Sequence, residues 1–283
     1  MRPRRSAGSA RAAYDRLVLL VVDVGNSNLA LGLARDGTLA GRRRAATPAG
    51  ATPDELELLL DGLLNLEGTG LAGIAALALA STVPVVGAAI EEVATRRGIP
   101  CVTASAGTVP MAIHVERPGE VGPDRLVNGY AAARLYGQPV VVVDCGTATT
   151  VDAVDASGAF VGGAIAPGLM MGLDGLAART ARLPPVEPRL PDRAIGRDTA
   201  AAIIAGTVLG HRLLVEGLLS RVRRELAAPA GIVPAEVHAV LTGGLAATAW
   251  GHSLEGFDAI DPDLTLRGLI LFYEAVVGTE AAP

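Results

Sequence analysis

The sequence predicts an α/β fold made of two similar halves facing a central cleft. Three observations carry that prediction. Two continuous apolar runs, residues 17–22 and 139–143, each lead into an Asp-x-Gly loop. Each loop is followed by a second strand pattern, a turn signal and a returning strand pattern, and the two loop aspartates stand 121 positions apart. Later segments also correspond, with helical patterns and then a β-branched run closed by glycines. Strand, loop and turn recurring in one order point to a duplicated α/β unit.

The elements follow in order. Residues 17–22, apolar and β-branched, read as a strand buried on both faces. Asp23 to Asn28 form the loop, 29–34 the next strand, Asp36-Gly37 the hairpin turn and 39–46 the return. Apolar residues at helical spacing fill 53–66, with Thr52 as N-cap. A strand is predicted at 74–80, a helix at 85–97 closed by Gly98, and a short strand at 100–103. Residues 122–137 hold the crossover, helical over 124–136. The pattern then repeats: strand 139–143, loop 144–149, strand 150–154, turn 155–158, return 159–165. Helices are expected at 169–181 and 199–226, and a strand at 237–241 before Thr242-Gly243-Gly244. The domains read as 17–126 and 127–283, with 1–16 a disordered extension.

Composition narrows the function. Half of the 283 residues are apolar, enough for substantial cores. A net charge of −5 gives no footprint for nucleic acid, although arginines cluster at Arg42, Arg43 and Arg44. No apolar run is long enough for a membrane span or a signal peptide. Cys101 and Cys145 make neither a disulfide framework nor a metal cluster, which fits a reducing cytoplasm. The four histidines, His114, His211, His238 and His252, lack metal spacing. The chain has no lysine at all. That excludes a Walker A loop, a protein-kinase lysine and a pyridoxal Schiff base together. Any ATP phosphates must be held by amides, hydroxyls, arginine and metal ions.

The candidate chemistry sits at strand ends. In the first loop the Asp23 carboxylate adjoins Gly25, where a ligand can approach the backbone closely. Asn26, Ser27 and Asn28 add short polar groups, so the loop can cradle phosphates while Asp23 holds Mg²⁺. A plain capped hairpin explains one copy; two copies favour the phosphate reading. In the second loop Asp144, Gly146, Thr147, Thr149, Thr150 and Asp152 offer carboxylates and hydroxyls. A carboxylate directly after a buried strand costs free energy unless it is paired or binds a cation. Asp124 either caps its helix or accepts a substrate hydroxyl proton, with Arg125 clamping an anionic group. Asp198 or Thr199 caps another helix. The Gly-rich stretch 162–168 packs closely or walls the substrate cleft. Cys145 beside a Gly turn is a conceivable nucleophile, but nothing identifies a paired histidine.

Together DVGNSN (23–28), STVP (81–84), GPDRLVN (122–128), DCGTATTVD (144–152), GGAIAPG (162–168), TARLP (180–184), GRDT (196–199) and TGG (242–244) resemble the type III pantothenate kinase family. The similarity runs over nearly the whole chain. The resemblance implies the duplicated actin-like fold of the sugar kinase/Hsp70/actin, RNase H-like class. It implies ATP-dependent phosphorylation of pantothenate, the first step toward coenzyme A, in a cytoplasmic homodimer. It implies ATP contacts from Asp23, Val24, Gly25, Asn26, Ser27, Asn28, Leu29, Ala30 and Thr147. Asp124 matches the proton acceptor. Gly122, Pro123, Asp124 and Arg125 match the substrate loop, and Thr199 a pantothenate contact across the dimer. Asp23 matches the Mg²⁺-linked carboxylate, and Asp144 the ligand of an activating K⁺ or NH₄⁺. Val115 stands where the family often has tyrosine, and Ser27 where threonine is common. A kinase of another small alcohol and a non-catalytic nucleotide-binding relative are the competing readings.

Overall fold

The computed structural model describes residues 18–280, and the extension expected over 1–16 lies outside them. The two repeats are two five-stranded sheets of matching topology. In the first, β1 (Leu19–Val24), β2 (Asn28–Arg35), β3 (Thr38–Ala46), β4 (Ala76–Ser81) and β5 (Cys101–Thr103) lie in the order β3-β2-β1-β4-β5. In the second, β6 (Val140–Cys145), β7 (Ala148–Val154), β8 (Phe160–Pro167), β9 (His238–Thr242) and β10 (Ala259–Ile260) lie in the order β10-β9-β6-β7-β8. In each sheet the first strand is central, antiparallel to the second and parallel to the fourth. The two central strands share one burial pattern, and in both the loop aspartate is the residue that is less than fully buried. A central strand has neighbours on both edges and layers on both faces, so only its end can offer a polar group to a ligand.

The chain divides into two compact units. One takes the chain as far as Pro110, then Arg117–Ala131, then the segment from Thr265 onward; the other takes Met111–Glu116 and Ala132–Leu264. In the first, α1 (Pro53–Asn65) and α2 (Pro84–Arg97) pack Leu56, Leu60, Val86 and Ile90 against Leu20, Val22 and Val24 of β1. Two further helices, α3 (Pro123–Leu135) and α7 (Leu264–Glu280), meet where Gly268 lies against Val127 and Ala131. Arg42, Arg43 and Arg44 fall on the edge strand β3, where charge discourages further strand addition. Arg43 is tied to Glu67 at 2.7 Å.

In the second unit α4 (Leu169–Arg179) precedes a long helical stretch. That stretch comprises α5 (Thr199–Ile204), a π-helical turn (Ala205–Leu209) and α6 (Gly210–Ala230). By length and composition Thr199–Ala230 could cross a bilayer, with mean hydropathy 1.5 over its most apolar window. Here Ile204, Val208, Val215, Leu219 and Leu226 are instead packed in the second core.

Local chemistry explains most element boundaries. Asp36 and Gly37 both adopt positive φ, as the two-residue hairpin requires. Thr52 accepts from the Glu55 N–H, and the Glu55 carboxylate reaches back to the Thr52 N–H at 2.8 Å, closing a capping box. Thr52→Ala should therefore cost about 1 kcal/mol. It would appear as a lower urea midpoint with an unchanged slope.

Candidate active site

The first unit holds residues 23–30 and 122–125; the second holds Val115, Asp144, Thr147 and Thr199. In the first loop, Asp23 pairs in register with Ala30 on β2 and Ala80 on β4. The turn is closed by the Gly25 N–H donating to Asn28 O at 2.9 Å. Val24 and Leu29 point into the core, so of the residues expected to touch ATP these two can offer only backbone. Asn26, Ser27 and Asn28 are exposed. Two threonines grip the loop from outside. Thr47 donates its hydroxyl to Gly25 O at 2.5 Å and its N–H to Ser27 O at 3.0 Å. Thr82 donates its hydroxyl to Val24 O at 3.0 Å and its N–H to the same oxygen at 2.9 Å. Three loop carbonyls are thereby occupied by protein donors. That suits a phosphate loop, because a free carbonyl dipole repels an anion. Thr47 was not singled out from the sequence, since its role rests on a contact 22 residues away.

Asp124 does not cap its helix. The helix begins at Pro123, so Asp124 is its second residue. Its carboxylate accepts the Arg125 N–H, while Oδ1 is shielded from solvent with no hydrogen-bond partner. Burial pushes the Asp124 pKa above the usual carboxylate range, and the Arg125 charge only partly offsets this. Gly122 keeps the space beside Oδ1 open, because a Cβ there would come within 2.5 Å of it. A half-buried carboxylate with one shielded, unpartnered oxygen and a raised pKa has the properties of a proton acceptor.

The second loop is one residue shorter than the first. Cys145 pairs with Thr149, and the Gly146 N–H closes the turn on Ala148 O at 3.0 Å. Gly168 donates to Thr147 O at 3.1 Å, and Leu245 to Cys145 O at 3.1 Å. Asp144 pairs in register with Thr150 and Thr242, and its Oδ1 lies against the Cα of Gly243. Thr147 is exposed at the tip. The Thr242-Gly243-Gly244 turn thus forms part of the Asp144 environment. Asp152 is fully buried further along β7, where it accepts the Thr150 hydroxyl at 3.0 Å, and is no part of the loop. Burial, with Asp144 beside it, pushes the Cys145 thiol up to about 12, which removes it as a nucleophile. Val115 lies against Gly162 of β8. Thr199 is exposed as the first residue of α5, and Asp198 is its cap, accepting from the Ala201 N–H at 2.7 Å.

Among the described residues, no three His, Cys, Asp or Glu side chains gather as a metal cluster. Single carboxylates such as Asp23 and Asp144 still suit ions that share their coordination with phosphate oxygens, carbonyls and water.

The doubled strand order, with an aspartate loop ending the central strand of each sheet, defines the actin-like class of α/β proteins. A model of the type III pantothenate kinase family matches residues 19–221. The type III pantothenate kinase of Thermomicrobium roseum is 42% identical over 259 residues, covering 91% of this chain and 97% of its own. That of Moorella thermoacetica is 41% identical, covering 91% and 99%. The chain belongs to the type III pantothenate kinase family. Among solved structures, a Baf family transcriptional activator from Campylobacter jejuni matches with a TM-score of 0.57 at 17% identity, covering 92% of this chain and 99% of its own. At that identity the likeness speaks for the fold alone.

Proposed function

We propose that the chain transfers the γ-phosphoryl group of ATP to the primary hydroxyl of pantothenate, giving 4′-phosphopantothenate and ADP on the way to coenzyme A. The observation that carries this reading is Asp124: in a chain of this family, the expected proton acceptor is a carboxylate whose Oδ1 is shielded, unpartnered and raised in pKa. The hydroxyl oxygen forms the new bond to phosphorus, the bond to the β-phosphate oxygen breaks, and Asp124 takes the hydroxyl proton. Phosphoryl transfer asks mainly for positioning and charge stabilisation. Residues 23–30 and Thr147 contact the nucleotide in this reading, mainly through backbone and hydroxyl groups. Gly122, Pro123 and Arg125 hold the acceptor, with the Arg125 guanidinium suited to its carboxylate. Val115 and Thr199 complete the acceptor site, Thr199 from the second subunit of a homodimer.

Asp23 would hold the Mg²⁺ of the nucleotide, directly or through water, and Asp144 a K⁺ or NH₄⁺ ion. Both ions supply positive charge against the phosphates in a chain without lysine. The reading needs only small-molecule substrates, in the cytoplasm, with no nucleic-acid or membrane partner.

A coupled assay of ADP release across a panel of alcohols tests it. ADP formation should depend on pantothenate and rise with K⁺ or NH₄⁺. Product from another alcohol but none from pantothenate would replace the named substrate. Unchanged activity when Na⁺ or a bulky organic cation replaces both ions would remove the cation from Asp144.

A further inference from the structure

We propose that His211 is a positioning residue for the second loop, acting through Thr149 to fix the backbone that carries Asp144 and Thr147. The inference rests on reading residues 144–149 as a phosphate loop.

Thr149 is a fully buried hydroxyl among apolar neighbours. By the alternation of β7 it shares a face with Val151 and Ala153, both in the second core. A valine would fill that position without a polar group to satisfy. The hydroxyl finds its partner in His211 Nε2 at 3.0 Å, a residue 62 positions further along the chain. Thr149 is the register partner of Cys145, the residue directly after Asp144, and follows Thr147 by two positions. The hydrogen bond therefore grips the root of the hairpin, where both arms of the loop emerge.

His211 is itself held in orientation. Its ring lies 5.4 Å from that of Trp250, tilted by 32°. The Trp250 indole donates to Val208 O at 3.3 Å, inside the π-helical turn that immediately precedes α6. An extra residue in a helix rotates everything after it by about 100°. The π turn thus sets the helix face on which His211 reaches β7, and such turns recur at functional sites. Burial pushes the His211 pKa below the usual histidine range, so the contact is between neutral groups near pH 7.

A buried polar pair contributes little net stability compared with a well-packed apolar pair. What it supplies is direction, because a hydrogen bond fixes one geometry where a methyl contact tolerates several. The first loop is gripped from outside by Thr47 and Thr82. The second is gripped from beneath by His211.

The test uses full-length Thr149→Val, which is isosteric and lacks the hydroxyl, and His211→Phe, which keeps a ring against Trp250. Each should raise KM for ATP roughly fivefold, the scale of one lost hydrogen bond, with KM for pantothenate unchanged. The double variant should be no worse than the poorer single one. Thr149→Ser should restore the ATP KM. Should His211→Phe fail to fold, the Val and Ser variants at Thr149 still decide the matter, since only one keeps a hydroxyl. Equal changes in both KM values, multiplicative effects in the double variant, or a wild-type Thr149→Val would overturn the proposal. Asp144→Asn separates the two levels of the reading. If it leaves the ATP KM and cation dependence unchanged, the phosphate-loop reading falls and this proposal with it. If it impairs them while Thr149→Val does not, only the role of His211 falls.

Discussion

Asp124→Asn is expected to lower kcat by about 10²–10⁴-fold, the range for removing a positioned general base, while ATP binding persists. It is also expected to raise thermal stability. The raised pKa means that the folded chain holds the Asp124 proton more tightly than the unfolded chain does. Stability from this group is therefore full below the usual aspartate range and is lost as pH climbs through the raised value. Above the raised value the carboxylate is ionised while Oδ1 is buried without a hydrogen bond, a net cost to folding. Asparagine removes the charge at nearly constant shape. Calorimetry should show a Tm advantage for the variant that grows as pH rises through the raised value and shrinks as pH falls toward the usual aspartate range. The wild-type rate should decline on the acid side as Asp124 takes up its proton. Unchanged turnover would remove Asp124 from the mechanism. A fall in Tm would mean that the carboxylate is structural.

How much of this was legible from sequence depended on distance along the chain. Strand, loop and turn within each repeat are local, and β1 to β3 and β6 to β8 follow the predicted pattern within a few residues. The largest shift is at the strand ends. Asp23 and Asp144 belong to β1 and β6 themselves, because β4 and β9 continue pairing alongside them. The crossover helix starts at Pro123, since proline suits a first helical position, and this releases Asp124 from capping. Two elements were not anticipated. The two residues of β10 form a strand only by pairing with β9. In α7 the run of leucine, isoleucine and phenylalanine around Gly268 is apolar on more than one face, so periodicity cannot separate helix from strand. The π turn leaves no mark in composition. The grips on the loops were invisible for a related reason. Thr47, Thr82 and His211 each bond a partner at least 22 residues away; Thr82 stands in the STVP motif, but that motif does not say which backbone it bonds, and nothing beside Thr47 or His211 distinguishes them from ordinary surface or core residues.

Gly243→Ala should produce the second large effect, and it separates the geometry of Asp144 from its charge. Gly243 has φ of +94°, a conformation that costs an alanine on the order of 1–3 kcal/mol. Its missing side chain matters as much. A Cβ there would overlap Asp144 Oδ1 and lie 2.7 Å from the backbone N and C of Cys145. Asp144 and Cys145 are part of the central strand β6, paired on both edges, so the backbone has little room to yield. Strain and overpacking together predict a loss of about 3 kcal/mol or more. The carboxylate would be displaced at the same time, so stimulation by K⁺ should weaken beyond what lost stability explains. Thermal melts, with activity measured well below the melting range in K⁺ and in Na⁺, read both effects. Gly217→Ala is the control: it lies within α6, its Cβ would meet open space, and alanine there should stabilise by roughly 0.5–1 kcal/mol. If Gly243→Ala is destabilised yet keeps full cation stimulation, the glycine serves only packing and the cation lies away from Asp144. If it melts like wild type, β9 can move relative to β6, and the tight seat inferred for the carboxylate is wrong.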